Sequence, residues 1–332
     1  MIILGIESSC DDTAICLLND GKEILAEKKN DQNALHAAFG GIVPEVAARR
    51  HLEVLNVLLR DALIEANLSF EDIDLIAVTH APGLIGSLAV GVSAAKALSL
   101  SLGIPLVGVH HIEGHLLSTL YHHEVEFPAL GLVVSGGNTD LYLVEGFGRY
   151  ELLGQTRDDA VGECLDKIAK HFGLGYPGGP ILEKLAGDIR EDRYRFTRPM
   201  LGTPDLDFSY SGLKTAVIYH FRDLGRPPTD AELPHFAYSV QAAAYEVLVR
   251  KTLRAAKEHS TSRVLVSGGV AASKLLREMM CADHKQGTLE PYFPPLKHCT
   301  DNALMIAYTG WHLFNRGVTH GQELEAAASL PV

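Results

Sequence analysis

Two histidines carry the first chemical expectation. His111 and His115 lie four residues apart in the run Leu106-Val107-Gly108-Val109-His110-His111-Ile112-Glu113-Gly114-His115. On a helix that spacing puts both imidazoles on one face, one turn apart. Two imidazoles so placed can share one metal ion, and zinc and iron both accept such nitrogens. Either ion needs a third protein ligand and an open position to do chemistry. Histidine pairs at this spacing also occur on helices that bind nothing. Here the pair follows an apolar run that reads as a strand, and strand ends are where α/β folds place ligands. Asp301, in Cys299-Thr300-Asp301-Asn302-Ala303, has the commoner reading of an N-cap for the helix expected over residues 304–314 and the functional reading of a third ligand. The two roles are compatible. The segment is not a zincin motif. Glu113 stands two residues after His111, about 200° around a helix, so a peptidase would lack its general base.

The elements that must position these residues read as an α/β alternation. Residues 2–7 are apolar and β-prone, Gly5-Ile6-Glu7-Ser8-Ser9-Cys10-Asp11-Asp12 forms a polar turn, and residues 13–18 read as a second strand. A dinucleotide fingerprint would continue into a helix, so that class is disfavoured. The turn offers amides and hydroxyls to a phosphate, although a plain hairpin reads the same way. Residues 130–144 repeat the pattern: strand, Ser135-Gly136-Gly137-Asn138-Thr139, strand. The repeat predicts two related α/β lobes facing one another, with a ligand between their hairpins. Two further strands, residues 75–79 and 264–267, run into glycine turns and then helices, over residues 87–97 and 270–280. Such joints suit an anion, a nucleoside or simply close helix–sheet packing. Long helices are expected over residues 45–66, 158–173 and 236–258, with another opening at 181. In the first, Val46, Leu52, Leu55, Leu58 and Leu59 mark the inner face, while Arg49, Arg50 and His51 read as solvated. Residues 207–215 are hydroxyl-rich and read as a turn or helix cap.

Composition narrows the class. A chain of 332 residues suggests about two domains. Its 47% hydrophobic and 21% charged content is that of a soluble globular protein. No uncharged apolar run of about 18 residues predicts a membrane span, and the N-terminus lacks the basic region of a signal peptide. Five scattered cysteines without a C-x-x-C pair fit reduced thiols in a cytoplasm. A net charge of −12 argues against non-specific nucleic-acid binding by the whole surface, though not against a local basic patch or a helping partner.

Several stretches, taken together, resemble one family. They are Gly5-Ile6-Glu7-Ser8-Ser9-Cys10-Asp11, Gly41-Ile42-Val43-Pro44-Glu45, Pro82-Gly83-Leu84, His111-x-Glu113-Gly114-His115, Val134-Ser135-Gly136-Gly137, Tyr176-Pro177-Gly178-Gly179-Pro180, Phe208-Ser209-Tyr210-Ser211-Gly212-Leu213-Lys214 and Thr300-Asp301-Asn302-Ala303. In this order, across almost the whole chain, they resemble the TsaD/Gcp family, the catalytic subunit of tRNA N6-adenosine threonylcarbamoyltransferase. The resemblance implies an α/β, two-lobed actin-like ATPase fold, shared with acetate kinase, sugar kinases, heat-shock chaperones and actin, with duplicated ribonuclease-H-like lobes. It implies a first lobe over residues 1–128, with residues 301–332 packing back on it, and a second over residues 129–300. It implies one Fe²⁺ or Zn²⁺ on His111, His115 and Asp301. It also implies a threonylcarbamoyl-adenylate site lined by Val134, Ser135, Gly136, Gly137, Asn138, Asp166, Gly179, Glu183 and Ser273. Three positions depart from the common family pattern, Asp12 for Glu, Glu183 for Asp and Ser273 for Asn, while Asn138 stands where the family commonly has His or Asn. Serine has fewer hydrogen-bonding groups than Asn with which to read a base or ribose.

The implied reaction is carbamoyl transfer. The N6 amine of an anticodon-loop adenosine attacks the carbamoyl carbon and AMP leaves, with Asp11 as the candidate proton acceptor. An unpaired loop base is cheap to extrude. Glycine-turn amides would neutralise the leaving phosphate. The implied partners are tRNA, a small paralogous subunit that dimerises with the first lobe, and an ATPase subunit, with no membrane. Two other classes compete: a small-molecule kinase of the same fold, and a non-catalytic nucleotide-binding scaffold. Neither needs the histidine pair.

Overall fold

The structure, a computed structural model, describes residues 1–284 and 288–332. It divides into two compact units, Met1–Glu124 with Asp301–Val332, and Val125–Thr300.

The first unit opens with β1 (Ile2–Glu7), β2 (Thr13–Asn19) and β3 (Glu23–Asn30), then α1 (Asn33–Ala37) and α2 (Pro44–Ala66). It continues through β4 (Leu75–Ala81), α3 (Ile85–Leu102), β5 (Leu106–His110) and α4 (His111–Ser118). The sheet order is β3-β2-β1-β4-β5. β1 to β3 form an antiparallel meander, while β4 and β5 run parallel to β1. The three parallel strands are buried on both faces, which is why they read as unbroken apolar runs. β3 is the edge, and its Glu27, Lys28 and Lys29 hide a strand from the hydrophobic pattern while guarding that edge.

Helix α2 begins with Pro44 at its first position and ends at Asn67 in the left-handed region, both favourable terminators. Its buried stripe is Ala47, His51, Val54, Leu55, Leu59, Ala62 and Leu63. Two expectations are corrected here. Leu52 is 65% exposed, and His51, expected on the solvated face, is fully buried. Arg49 and Arg50 do face solvent, paired with Glu45 and Glu53. Helix α3 reaches a mean hydropathy of 1.5 over its 18 residues, long and apolar enough by composition to cross a membrane. It is not the uncharged run whose absence was expected, because Lys96 lies within it. In the structure α3 packs on β4 and α2, and Lys96 from its middle donates to the Leu324 carbonyl at 2.9 Å.

The second unit runs β6 (Ala129–Val134), β7 (Thr139–Gly146), β8 (Arg149–Gln155), α5 (Val161–His171) and α6 (Gly178–Ala186). Then come α7 (Ser211–Asp223), α8 (Leu233–Glu258), β9 (Arg263–Ser267), α9 (Lys274–His284) and β10 (Glu290–Tyr292). Its sheet order, β10-β9-β6-β7-β8, repeats the first with β6 in the place of β1. The strand directions repeat as well. Phe208, Tyr210, Phe236 and Tyr245 anchor its core. Each such side chain taken out of water stabilises the fold by about 1.5–3 kcal/mol.

Two helix boundaries differ from expectation. Asp158 and Asp159 precede α5: Asp158 accepts from the Tyr210 and Ser211 amides and the Ser209 and Ser211 hydroxyls at the start of α7. Those bonds hold the Asp158 carboxyl down at about 2 against the opposing effect of partial burial. The helix expected over residues 270–280 is instead a 3₁₀ turn, Gly269–Ala272, followed by α9 from Lys274.

The chain returns to the first unit with α10 (Ala303–Asn315), which packs on β1, β2, β4, β5 and α4. Glycines permit that approach. A Cβ on Gly5 would lie 2.5 Å from the Ala303 carbonyl oxygen, and one on Gly114 would lie 3.1 Å from Ile306 Cδ1. The terminal segment then crosses the β5 edge, where the His320 amide donates to the Leu106 carbonyl at 2.7 Å.

Candidate metal centre

The parallel strands β1, β4 and β5 deliver their C-terminal ends side by side, the end where α/β sheets hold ligands. β1 ends on Glu7, β4 carries Thr79, and β5 runs without a loop into α4, whose first residue is His111. His110 is the N-cap of α4, its ring accepting the Ile112 amide. One turn on, His115 is fully buried, with its ring 4.6 Å from that of His111 and nearly perpendicular to it.

Asp301 arrives from the other end of the chain, immediately before α10. The helix is capped by Asn302, whose Oδ1 accepts the Met305 amide at 3.0 Å. The N-cap role open to Asp301 is therefore taken by its neighbour, and the Asp301 carboxylate is left to face the histidines. Its Oδ1 stands 3.1 Å from His115 Nε2 and 3.5 Å from His111 Nε2. The ligand atoms of the three residues lie within 4.8 Å of one another.

The surroundings fix which nitrogens are offered. Glu7 Oε2 lies 3.2 Å from His111 Nδ1, and Ser9 Oγ lies 3.1 Å from the same atom. Glu7 is itself held by the Ser9 amide at 2.6 Å and the Thr79 hydroxyl at 2.5 Å. With Nδ1 so engaged, His111 presents Nε2 toward Asp301. A carboxylate behind a ligating imidazole is the usual support of a metal-bound histidine. The Nδ1 of His115 is buried without a hydrogen-bond partner, so its Nε2 side is the one turned to the cluster.

Electrostatics point the same way. Burial opposes charge on His111, yet the Glu7 and Asp301 carboxylates raise it to about 9. Burial would raise Asp301, but His111, His115 and Lys29 hold it well below the usual carboxylate range. His115 is lowered by burial, with Asp301 opposing only in part. A buried pocket with two carboxylates around two imidazoles attracts positive charge, and a divalent cation satisfies it as a proton does. The donor set of two nitrogens and one carboxylate oxygen suits iron or zinc, leaving positions open. The residues present fit a metal.

Asp11 and Asp12 follow on the β1–β2 turn. Burial raises the Asp11 carboxyl, and the nearby Asp301 raises it further. Burial takes Asp12 to about 7 against the pull of Lys29. Lys29 bridges the turn and the cluster, pairing with Asp12 at 2.6 Å and donating to the Asp301 carbonyl at 2.8 Å. His51 steadies the turn from α2. Its ring meets Thr13 Oγ1 at 2.7 Å and the Cys10 carbonyl at 3.0 Å. Glu7, His51 and Lys29 were not among the residues expected from the sequence. For Glu7 the available signal is a carboxylate ending a buried strand.

The remaining expected residues belong to the second unit. Val134 ends β6, and Ser135, Gly136, Gly137 and Asn138 form the turn to β7. The Gly137 and Asn138 amides donate to Ser135 Oγ at 3.3 and 3.0 Å. Both amides turn inward onto that hydroxyl and hold the turn. Asn138 also donates to Asp140 at 2.8 Å. Asp166 Oδ1 accepts the Gly178 amide at 2.6 Å and so fixes the backbone beside Gly179. Glu183 accepts the Lys274 amide at 3.2 Å, capping α9 just after the buried Ser273.

Comparisons with known proteins follow this geometry. Residues 23–308 match the family model of TsaD, tRNA N6-adenosine threonylcarbamoyltransferase. The chain is 45% identical to the tRNA N6-adenosine threonylcarbamoyltransferase of Syntrophotalea carbinolica, over 100% of this chain and 97% of that relative. It is 47% identical to the protein of the same name from Trichlorobacter lovleyi, again over 100% and 97%. Among solved structures, HypF of T. kodakarensis aligns with a TM-score of 0.65 at 15% identity, covering 95% of this chain and 48% of that one. The activator of the 2-hydroxyisocaproyl-CoA dehydratase from Clostridium difficile aligns at 0.57 and 14%, covering 96% and 97%. These structures share the actin-like ATPase fold expected from the sequence.

Proposed function

Because the chain belongs to the tRNA N6-adenosine threonylcarbamoyltransferase family, we propose that it transfers a threonylcarbamoyl group from threonylcarbamoyl-adenylate to an adenosine of tRNA. The acceptor is the N6 amine of the adenosine next to the anticodon, in tRNAs reading codons that begin with adenine. The bond formed joins that nitrogen to the carbamoyl carbon. The bond broken is from that carbon to the phosphate oxygen, and AMP departs as the amine loses a proton. The observation carrying this reading is the convergence of His111, His115 and Asp301 in a chain related end to end to such transferases.

His111 and His115 would hold one Fe²⁺ or Zn²⁺ through Nε2, with Asp301 as third ligand and Glu7 behind His111. Bound there, the ion would supply a Lewis acid and a template for the threonylcarbamoyl group. Asp11 is the proposed proton acceptor: burial and the nearby Asp301 raise its carboxyl, which makes its carboxylate a better base. For the adenylate part of the donor we propose Val134, Ser135, Gly136, Gly137, Asn138, Asp166, Gly179, Glu183 and Ser273. Ser135 Oγ would yield its two amides to the phosphate.

The proposed partners are tRNA, a small paralogous subunit and an ATPase subunit. Leu52 and Ile64 on α2, and Ile85 and Leu100 on α3, are exposed apolar side chains that such a subunit could cover. A net charge of −12 also favours help in holding tRNA. The proposed compartment is the cytoplasm, in keeping with five free cysteines.

The test supplies threonylcarbamoyl-adenylate, without ATP, to the chain, its partner subunits and tRNA. Mass spectrometry of the digested tRNA should find threonylcarbamoyladenosine. Unmodified tRNA, with ATP-dependent phosphorylation of a small acid or sugar, would move the assignment to a kinase, which the relatives do not favour.

A further inference from the structure

The last residues of the chain reach the helix that carries both histidine ligands. The segment after α10 is pinned along β4 and β5: the Ala327 amide donates to the His80 carbonyl at 2.9 Å and the Gly83 amide to the Ala328 carbonyl at 3.3 Å. Beyond that point the Leu330 carbonyl lies 2.9 Å from His110 Nε2. A carbonyl can only accept, so Nε2 of His110 carries the proton and donates. The other nitrogen, Nδ1, is thereby left as an acceptor, and it takes the Ile112 amide at 3.2 Å. That bond caps α4, the eight-residue helix that begins with His111. A short helix has few bonds of its own, so its cap weighs heavily in where its side chains stand.

We propose that the Leu330 carbonyl fixes the tautomer and orientation of His110, and that His110 so fixed is a positioning residue for the metal ligands His111 and His115. The inference rests on the metal centre proposed above. His110 offers no atom to the ion. It acts through the helix start, and the chain terminus, 220 positions away in sequence, acts through it. The final residues therefore support metal affinity without touching the site. Leu330 is 42% exposed, so its side chain adds little burial to the fold, and its carbonyl carries the effect.

The test measures Zn²⁺ affinity of the full-length protein by competition with a chromophoric chelator. Circular dichroism and melting of the metal-free proteins check the fold. Relative to wild type, His110→Ala should weaken binding by about tenfold, the scale seen when a support behind a metal ligand is lost. Deleting residues 329–332 leaves the Ala327 and Ala328 bonds in place and should weaken binding by about threefold or more. The same deletion should cost nothing further in the His110→Ala background. His110→Asn should restore most of the affinity, because an Asn oxygen caps the same amide, and should be indifferent to the deletion. Unchanged affinity on deletion would overturn the proposal, as would an equal loss in both backgrounds. A wild-type protein that binds no Zn²⁺ or Fe²⁺ would instead overturn the metal centre itself.

Discussion

Glu7 Oε2 and His111 Nδ1 stand 3.2 Å apart, a buried carboxylate and a buried imidazole from positions 104 residues apart in the chain. The contact turns the opposite nitrogen of His111 toward Asp301. Burial alone would raise the Glu7 carboxyl, but His111 holds it below its usual range, so Glu7 stays a carboxylate at neutral pH. Glu7→Gln should keep the fold, since the amide oxygen can still accept from Ser9 or Thr79. It should weaken metal binding by about tenfold, read by chelator competition. Unchanged affinity would remove Glu7 from the support of the site.

The Ser135–Asn138 turn offers a separate test. A Cβ built on Gly137 meets nothing within 4 Å, so a side chain fits there without disturbing the unit. Gly137→Val should leave the circular dichroism spectrum and melting temperature near wild type. It should weaken adenylate binding by about tenfold or more, because the branched chain would fill the phosphate's place. Wild-type affinity for AMP or a donor analogue, read by calorimetry, would take this turn out of the proposed site.

His312, on α10 and packed edge-on against Tyr308 and Trp311, gives a pH prediction away from the metal centre. Burial, with Arg316 nearby, takes it from the usual histidine value down to about 4. Its unfolded form therefore binds a proton more readily than its folded form. The stability this confers is complete above about pH 6.5 and is lost as pH falls toward about 4. His312→Gln should flatten the decline in melting temperature between pH 7 and pH 4.5. An identical slope in the two proteins would show that other groups set the acid response.

The legible parts of the sequence are those where one physical signal dominates. The parallel strands announce themselves as apolar runs because both their faces are buried. His111 and His115 are legible through helical spacing at a strand end, and the repeated strand–turn–strand at 2–18 and 130–144 foreshadows the matching sheets. β3 and β8 are not legible, because these edge strands lack a clean apolar alternation: Glu23, Glu27, Lys28 and Lys29 break it in β3, and β8 leaves Leu152 exposed beside Arg149 and Glu151. His51 shares the i+4 stripe of Ala47, Leu55 and Leu59, but its burial is hidden because a histidine reads as polar and the Thr13 and Cys10 partners that satisfy its ring lie 38 and 41 residues away. The support given by Glu7 and by the Leu330 carbonyl comes from contacts across 104 and 220 residues, which no local pattern encodes.

The most direct measurement pairs metal content with product in one variant. Asp301→Ala removes the proposed third metal ligand but leaves Asn302 capping α10, so the helix keeps its start. Wild-type protein should carry about one Fe²⁺ or Zn²⁺ per chain by elemental analysis, in line with a single three-ligand site. With its partner subunits, tRNA and threonylcarbamoyl-adenylate, it should yield threonylcarbamoyladenosine. Asp301→Ala, folded as judged by circular dichroism, should lose most of the metal and lose the product with it. Full product from a folded Asp301→Ala protein that holds no metal would contradict the role assigned to His111, His115 and Asp301.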